Sequence, residues 1–170
     1  IVHVVSATII WMNQIALTAV LVPIAWFGLI SSSGILTEIV VANLIDPFER
    51  RWGTLRVARW TTVWSAVGLL MVGLGVLLNN QWVVLVGIMP PFSILIGRKS
   101  MMRAQVNHHI SSGQRATVLS AIEVVRKGMT GLTYIVMSIG LVWSPSIPLL
   151  VFGLLLVLVS VFSPIYRGKK

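Results

Sequence analysis

All thirteen lysines and arginines of this chain fall in three intervals, and long apolar runs fill the space between them. The longest polar interval is Arg98 to Lys127, which holds Arg98, Lys99, Arg103, Arg115, Arg126 and Lys127. This segregation limits the fold more than any other feature. The apolar runs approach the length, about 20 helical residues, that crosses a hydrocarbon layer roughly 30 Å thick. A soluble domain carries about 25% charged residues, whereas this chain has 10%, with 56% apolar. It has too few charges to cover a water-facing surface. A transmembrane barrel would show alternating segments of about ten residues, and none occurs. The expected fold is an all-α integral membrane bundle in a lipid bilayer.

The net charge of +9 invites a nucleic-acid partner, but its distribution argues against one. The cations sit only between and beyond the apolar runs, as membrane orientation requires, and form no continuous basic face on a folded domain. There is no cysteine, hence no disulfide and no thiolate metal site. The chain starts at Ile1 with no charged leader or cleavage site before the first apolar run, so that run does not read as a signal peptide. It reads as a piece of a longer protein.

Six runs follow: about 2–22, 24–45, 60–78, 82–97, 116–142 and 147–165. The turns near 22, 80 and 145 carry no Lys or Arg. The interval 46–59 holds Arg50, Arg51, Arg56 and Arg59, and the tail ends in Arg167, Lys169 and Lys170. Charged and uncharged connections alternate, so a chain crossing once per run places every cation on one side, expected to be the cytoplasm together with the C-terminus. The fourth run is short, which predicts a helix continuing past Arg98 into water. Thr61, Ser65, Gly68 and Gly75 form one stripe of the third run, and Gly128, Gly131 and Ser138 a looser one in the fifth. Small residues let helices approach closely in lipid. Trp60, Trp82, Trp143 and Tyr166 stand at run ends, as interfacial aromatics do.

The stretch Asn107 to Ser120, NHHISSGQRATVLS, resembles the segment between the tenth and eleventh helices of the major facilitator superfamily of transporters. Many bacterial members have N-x-x-[IL]-x-x-x-x-R-A-T-[VIL]-L-S there, and Asn107, Ile110, Arg115-Ala116-Thr117 and Leu119-Ser120 match. The family repeat G-x-x-x-D-R-x-G-R-R has its counterpart in Glu49-Arg50-Arg51-Trp52-Gly53 and Arg56, with Glu for Asp and no first glycine. Trp11 to Gly28, WMNQIALTAVLVPIAWFG, is similar to the turn between the seventh and eighth helices. The resemblance implies that the chain is the C-terminal half, six helices with the first shortened, of a twelve-helix transporter in a bacterial cytoplasmic membrane. The partner would be the N-terminal half, the ligand a small solute moving with or without a proton, and the mechanism rocking of the two halves. In that family the charged loop (here Glu49, Arg50, Arg51, Gly53 and Arg56) latches neighbouring helices in one state. Arg115 and Thr117 would serve the same end of the fifth helix. The alternative for these residues is plain topology charge, because exposed ion pairs contribute only about 0–1 kcal/mol.

Glu38 lies inside the second run, read here as two turns from its cytoplasmic end. An ionisable group in lipid marks a functional site by default and can carry a coupling proton; the alternative is a structural partner for Asn43, Arg126 or a neighbouring helix. Trp11, Asn13 and Gln14 can line a solute cavity or hydrogen-bond between helices; Tyr134 and Asn43 are weaker candidates. Glu123 and Lys127 are spaced to pair on one helix face. His108 and His109 point apart on a helix and have no third ligand nearby, so no metal is expected. No phosphate-binding loop and no nucleophile elbow occurs, and no catalytic residue or cofactor is assigned. Two rival readings remain: a membrane-embedded lipid-modifying enzyme, and a non-transporting scaffold or subunit. The second needs no acid inside a span, which makes Glu38 the discriminating residue.

Overall fold

The computed structural model describes residues 2–95, 97–101 and 113–163, with side chains from residue 11 onward. Six α-helices make up these residues: α1 (Val2–Ala19), α2 (Phe27–Trp52), α3 (Thr54–Leu77), α4 (Gln81–Ser93), α5 (Arg115–Leu141) and α6 (Ser146–Phe162). A short 3₁₀ turn, Ile24–Trp26, leads into α2. Helix α4 runs through Pro90 and Pro91 and stops after Ser93. After a turn at Ile94 the backbone is helical again, so the apolar element as a whole runs Gln81–Met101. Asn107, His108, His109, Ile110, Arg103 and the tail with Tyr166 lie outside the described residues.

Among the described residues, three elements are long and apolar enough to cross a membrane: Ile24–Trp52, Thr54–Leu77 and Gln81–Met101. Ser146–Phe162 is apolar over 17 residues. The protein is therefore all-helical, with helices suited to membrane insertion.

The turns follow local chemistry. Asn79 takes a left-handed conformation (φ 51°), which Asn tolerates better than most residues. It lets the Asn80 N–H reach back to the Gly75 carbonyl at 2.8 Å and the Asn79 N–H to Val76 at 3.2 Å, closing α3 with a Schellman motif. The Asn80 side chain then accepts from the N–H groups of Trp82 and Val83 at 3.0 and 3.3 Å, starting α4 as an N-cap. The other end differs from expectation. The interval 46–59 is not a loop: α2 continues through Pro47 to Trp52, α3 begins at Thr54, and Gly53 (φ 82°) alone joins them.

Helix α3 is central and packs along both α4 and α6; α4 also meets α1 and α2, and α1 meets α5. The predicted small stripe of α3 makes the α3–α4 contact. Thr61 and Ser65 are buried. A methyl group at Gly68 would overlap Pro91 and stand 2.7 Å from the Gly87 carbonyl oxygen, and one at Gly75 would stand 2.8 Å from the Val84 nitrogen. Among the described residues, nothing packs on the stripe predicted on α5. A methyl at Gly128 or Gly131 meets nothing within 4 Å, and Ser138 is exposed. Replacing Gly68 by Val is therefore expected to destabilise the protein by about 1–3 kcal/mol through overpacking. Gly128→Val should stay within about 0.5 kcal/mol, as surface changes do. Thermal unfolding of the two purified variants checks this.

Candidate functional site

Three polar regions interrupt the apolar framework. The first lies inside the bundle where α2, α3 and the far part of α4 meet. One face of α2 is buried at Ile30, Gly34, Glu38 and Ile45, the spacing of a single helical stripe. Gly34 rests on the Phe92 ring, and Ile45 packs on Gly97, so Glu38 lies between these two contacts on the face turned to α4. Helix α2 runs on to Trp52, beyond the apolar run that ends two turns after Glu38 at Ile45. Glu38 stands about 17 Å from the start of α2 and 21 Å from its finish at 1.5 Å per residue, close to the middle of the helix. It is only 8% exposed, and its carboxyl is engaged rather than free.

Arg98 shares this region and is 6% exposed. Sequence reading placed it among topology cations with the helix emerging into water; instead it is folded back against α3. Its Nη1 donates to the Ala58 carbonyl at 3.1 Å, Thr61 Oγ1 at 2.8 Å and Thr62 Oγ1 at 2.9 Å. The two threonines in turn donate to backbone carbonyls of their own helix, Thr61 to Val57 at 2.9 Å and Thr62 to Ala58 at 2.8 Å. Each hydroxyl thus uses its proton on the helix and offers a lone pair to the guanidinium. Met101, one turn on, completes a small apolar cluster with Ile45, Val57 and Ala58. Close to the same seam, Trp64 Nε1 donates to Ser93 Oγ at 3.3 Å, and that hydroxyl donates to the Pro90 carbonyl at 2.8 Å.

The charged turn beyond this seam contains the candidate latch. Thr54 Oγ1 donates to Glu49 Oε1 at 2.6 Å, so the acid meets the first residue of α3. The Gly53 N–H donates to the Glu49 carbonyl at 2.8 Å, and Phe48 stacks on Trp52 with centroids 5.0 Å apart. Arg50, Arg51 and Arg56 are exposed, as are Arg115 and Thr117 at the start of α5.

The second region is on α1, and the structure divides the residues that sequence grouped. Asn13 is 2% exposed and faces the core with Met12, Ala16 and Leu17. Its Oδ1 is, among the described residues, the one buried side-chain polar atom without a hydrogen-bond partner. Trp11 and Gln14 face outward. Gln14 and Thr18 line an open groove of about 800 Å³ with Phe27 and, from the turn after α5, Pro145. Asn43 is exposed and spends its amide on the Ile39 carbonyl at 3.0 Å.

The third region is the exposed surface of α5, which is divided lengthwise. Val125, Leu132, Val136 and Ile139 are exposed on one side, a face suited to lipid. Lys127, Gly131, Tyr134 and Ser138, spaced four, three and four apart, form an exposed strip of small and polar residues on the other. Thr130, Thr133 and Ser138 donate to carbonyls four residues back at 2.8–2.9 Å, so their hydroxyl protons are satisfied inside the helix. Towards the start of α5, Arg126 Nε donates to Glu123 Oε2 at 2.9 Å, and its Nη2 contacts Oε1. Glu123 therefore pairs one turn along with Arg126 rather than with Lys127.

Among the described residues no group of three His, Asp or Glu side chains is placed to hold a metal ion. Compared with known proteins, the chain matches no family model, no curated protein and no solved structure.

Proposed function

We propose that this chain is half of a secondary transporter that moves a small solute across a bacterial cytoplasmic membrane by alternating access, with its cations and C-terminus on the cytoplasmic side. The observation that carries this reading is the burial of Glu38 near the middle of an apolar helix. A scaffold gains nothing from an acid there, whereas transporters bind solutes and coupling ions near the midplane.

The helix contacts support it. Exchanging the first three helices for the last three turns the α2–α4 contact into α1–α5 and α2–α3 into α5–α6, and leaves α1–α4 and α3–α6 in place; all of these contacts occur. That is the pairing expected of two three-helix repeats. Two contacts depart from it: the intimate α3–α4 contact, whose counterpart α1–α6 is slight, and α1–α3, whose counterpart α4–α6 is slight or absent among the described residues. The exposed polar strip of α5 and the Gln14 face of α1 would look onto a second six-helix half, with the solute between them. Arg98, fixed to α3, would hold α4 against α3 as the halves move.

The test is reconstitution of the complete protein in liposomes containing a pH dye, followed by challenge with a panel of small organic solutes. Solute-driven proton movement is the expected result. A protein that inserts correctly but moves neither solute nor proton would overturn the proposal.

A further inference from the structure

Helix α1 ends in a tight turn that shapes the groove beside it. The Val22 N–H reaches back to the Leu17 carbonyl at 3.0 Å and the Leu21 N–H to Thr18 at 3.1 Å, a Schellman motif. Leu21 takes its left-handed position (φ 61°), and Pro23 precedes the 3₁₀ turn. The chain doubles back, so Ile24 and Phe27 line the same groove as Thr18 and Ala19, and Pro145 from the turn after α5 joins them. The groove measures about 800 Å³, within the range of sites that hold drug-sized molecules.

Its chemistry is narrow. Ile15, Ala19, Ile24, Phe27 and Pro145 are five of the seven lining residues, and Gln14 and Thr18 are the others. The Thr18 hydroxyl spends its proton on the Gln14 carbonyl at 2.8 Å and keeps only lone pairs to offer. The Gln14 side-chain amide makes no hydrogen bond among the described residues, so it presents both a donor and an acceptor. All seven residues come from the intervals 4–37 and 128–166, which contain no Asp, Glu, His, Lys or Arg. Along α2, Glu38 is about 17 Å beyond Phe27 and turned to α4. Along α5, Lys127 is about 21 Å from the end that leads to Pro145. An ionic solute would find no counter-charge here, and a charge left unpaired in apolar surroundings is costly.

We infer that this groove is this half's share of the solute site and that the solute is an uncharged amphiphile. It has an apolar, ring-sized body against Ile15, Ile24 and Phe27, and a hydrogen-bonding group opposite the Gln14 amide. The second half closes the open side. This inference rests on the proposed function and names the class of solute for it.

The experiment reads binding rather than transport. The thermal unfolding midpoint of the complete protein in neutral detergent is measured with 1-naphthamide, 1-naphthoate and 1-naphthylmethylammonium at matched concentrations, three probes with one ring body and different charge. A ligand that binds the folded state raises the midpoint, and the rise is expected with naphthamide alone. Gln14→Leu, at an exposed position, should weaken the naphthamide response about five- to ten-fold, the scale of one hydrogen bond. Ala19→Phe, which fills the groove from another exposed position, should abolish it. No rise with naphthamide, an equal or larger rise with either ionic probe, or a rise that both variants leave unchanged would overturn the inference. Any of these results alongside solute-driven proton movement in liposomes would remove the solute class and keep the transporter. Selective naphthamide binding without such movement would keep the site and remove the transporter.

Discussion

Glu38→Gln is expected to remove proton-coupled solute movement while leaving insertion and folding intact. Gln has nearly the same shape and keeps a carbonyl acceptor, so the packing of the Gly34–Glu38–Ile45 face against α4 is preserved. What is lost is a group that can gain and release a proton. Removing such a group typically costs about 100-fold or more in a reaction that depends on it. The measurement is solute-driven pH change in liposomes, with thermal unfolding of the same preparation as a control. Retained coupling in a well-folded Glu38→Gln protein would make Glu38 a structural partner only. Unfolding of the variant would point the same way.

The second large effect concerns the Arg98 seat. Replacing Thr61 and Thr62 together by Val keeps their shape and burial but withdraws two acceptors, at 2.8 and 2.9 Å, from a guanidinium that is 6% exposed. Hydrogen bonds to charged groups contribute about 1.5–3 kcal/mol each, and a buried donor left unmade is costly. A loss of about 3–5 kcal/mol is expected for the pair. Arg98→Met removes the charge along with its bonds, and both threonines keep their bonds to the α3 backbone. Its cost should be smaller, about 1 kcal/mol, because a buried charge carries a desolvation penalty that disappears with it. Unfolding midpoints should therefore rank wild type, Arg98→Met, then Thr61→Val/Thr62→Val. The reverse order of the two variants would mean that Arg98 stabilises the fold through its charge.

Several elements could be read from the chain because one physical cause dominates each. The apolar runs, the Asn79-Asn80 turn and the α3 stripe of Thr61, Ser65, Gly68 and Gly75 were legible in this way. The misplaced features share a different cause. Charge marks where a helix leaves the hydrocarbon, not where it ends, so α2 continues through Arg50 and Arg51 to Trp52 and stops only at Gly53. Arg98 was hidden for a related reason: a cation at the end of an apolar run looks the same whether it enters water or folds back. The available clue was Gly97, whose missing side chain lets α4 approach Ala42 and Ile45 of α2, together with the adjacent hydroxyls of Thr61 and Thr62 on α3. Trp11, Asn13 and Gln14 were grouped because they are close in sequence, but 100° per residue turns Asn13 into the core and the other two outward. The α5 glycines were expected to pack because glycine permits it, yet among the described residues no helix takes up the offer.

Alternating access itself is tested most directly by labelling. The chain contains no cysteine, so once any cysteine elsewhere in the complete protein is replaced by serine, a single cysteine placed at Ser138, on the exposed polar strip of α5, reports on that strip alone. In oriented vesicles of the complete protein, a membrane-impermeant maleimide should react with Ser138→Cys from one side, and adding solute or reversing the proton gradient should shift the faster reaction to the other side. A cysteine that stays unreactive from both sides under every condition would place the strip in lipid and contradict the transporter reading.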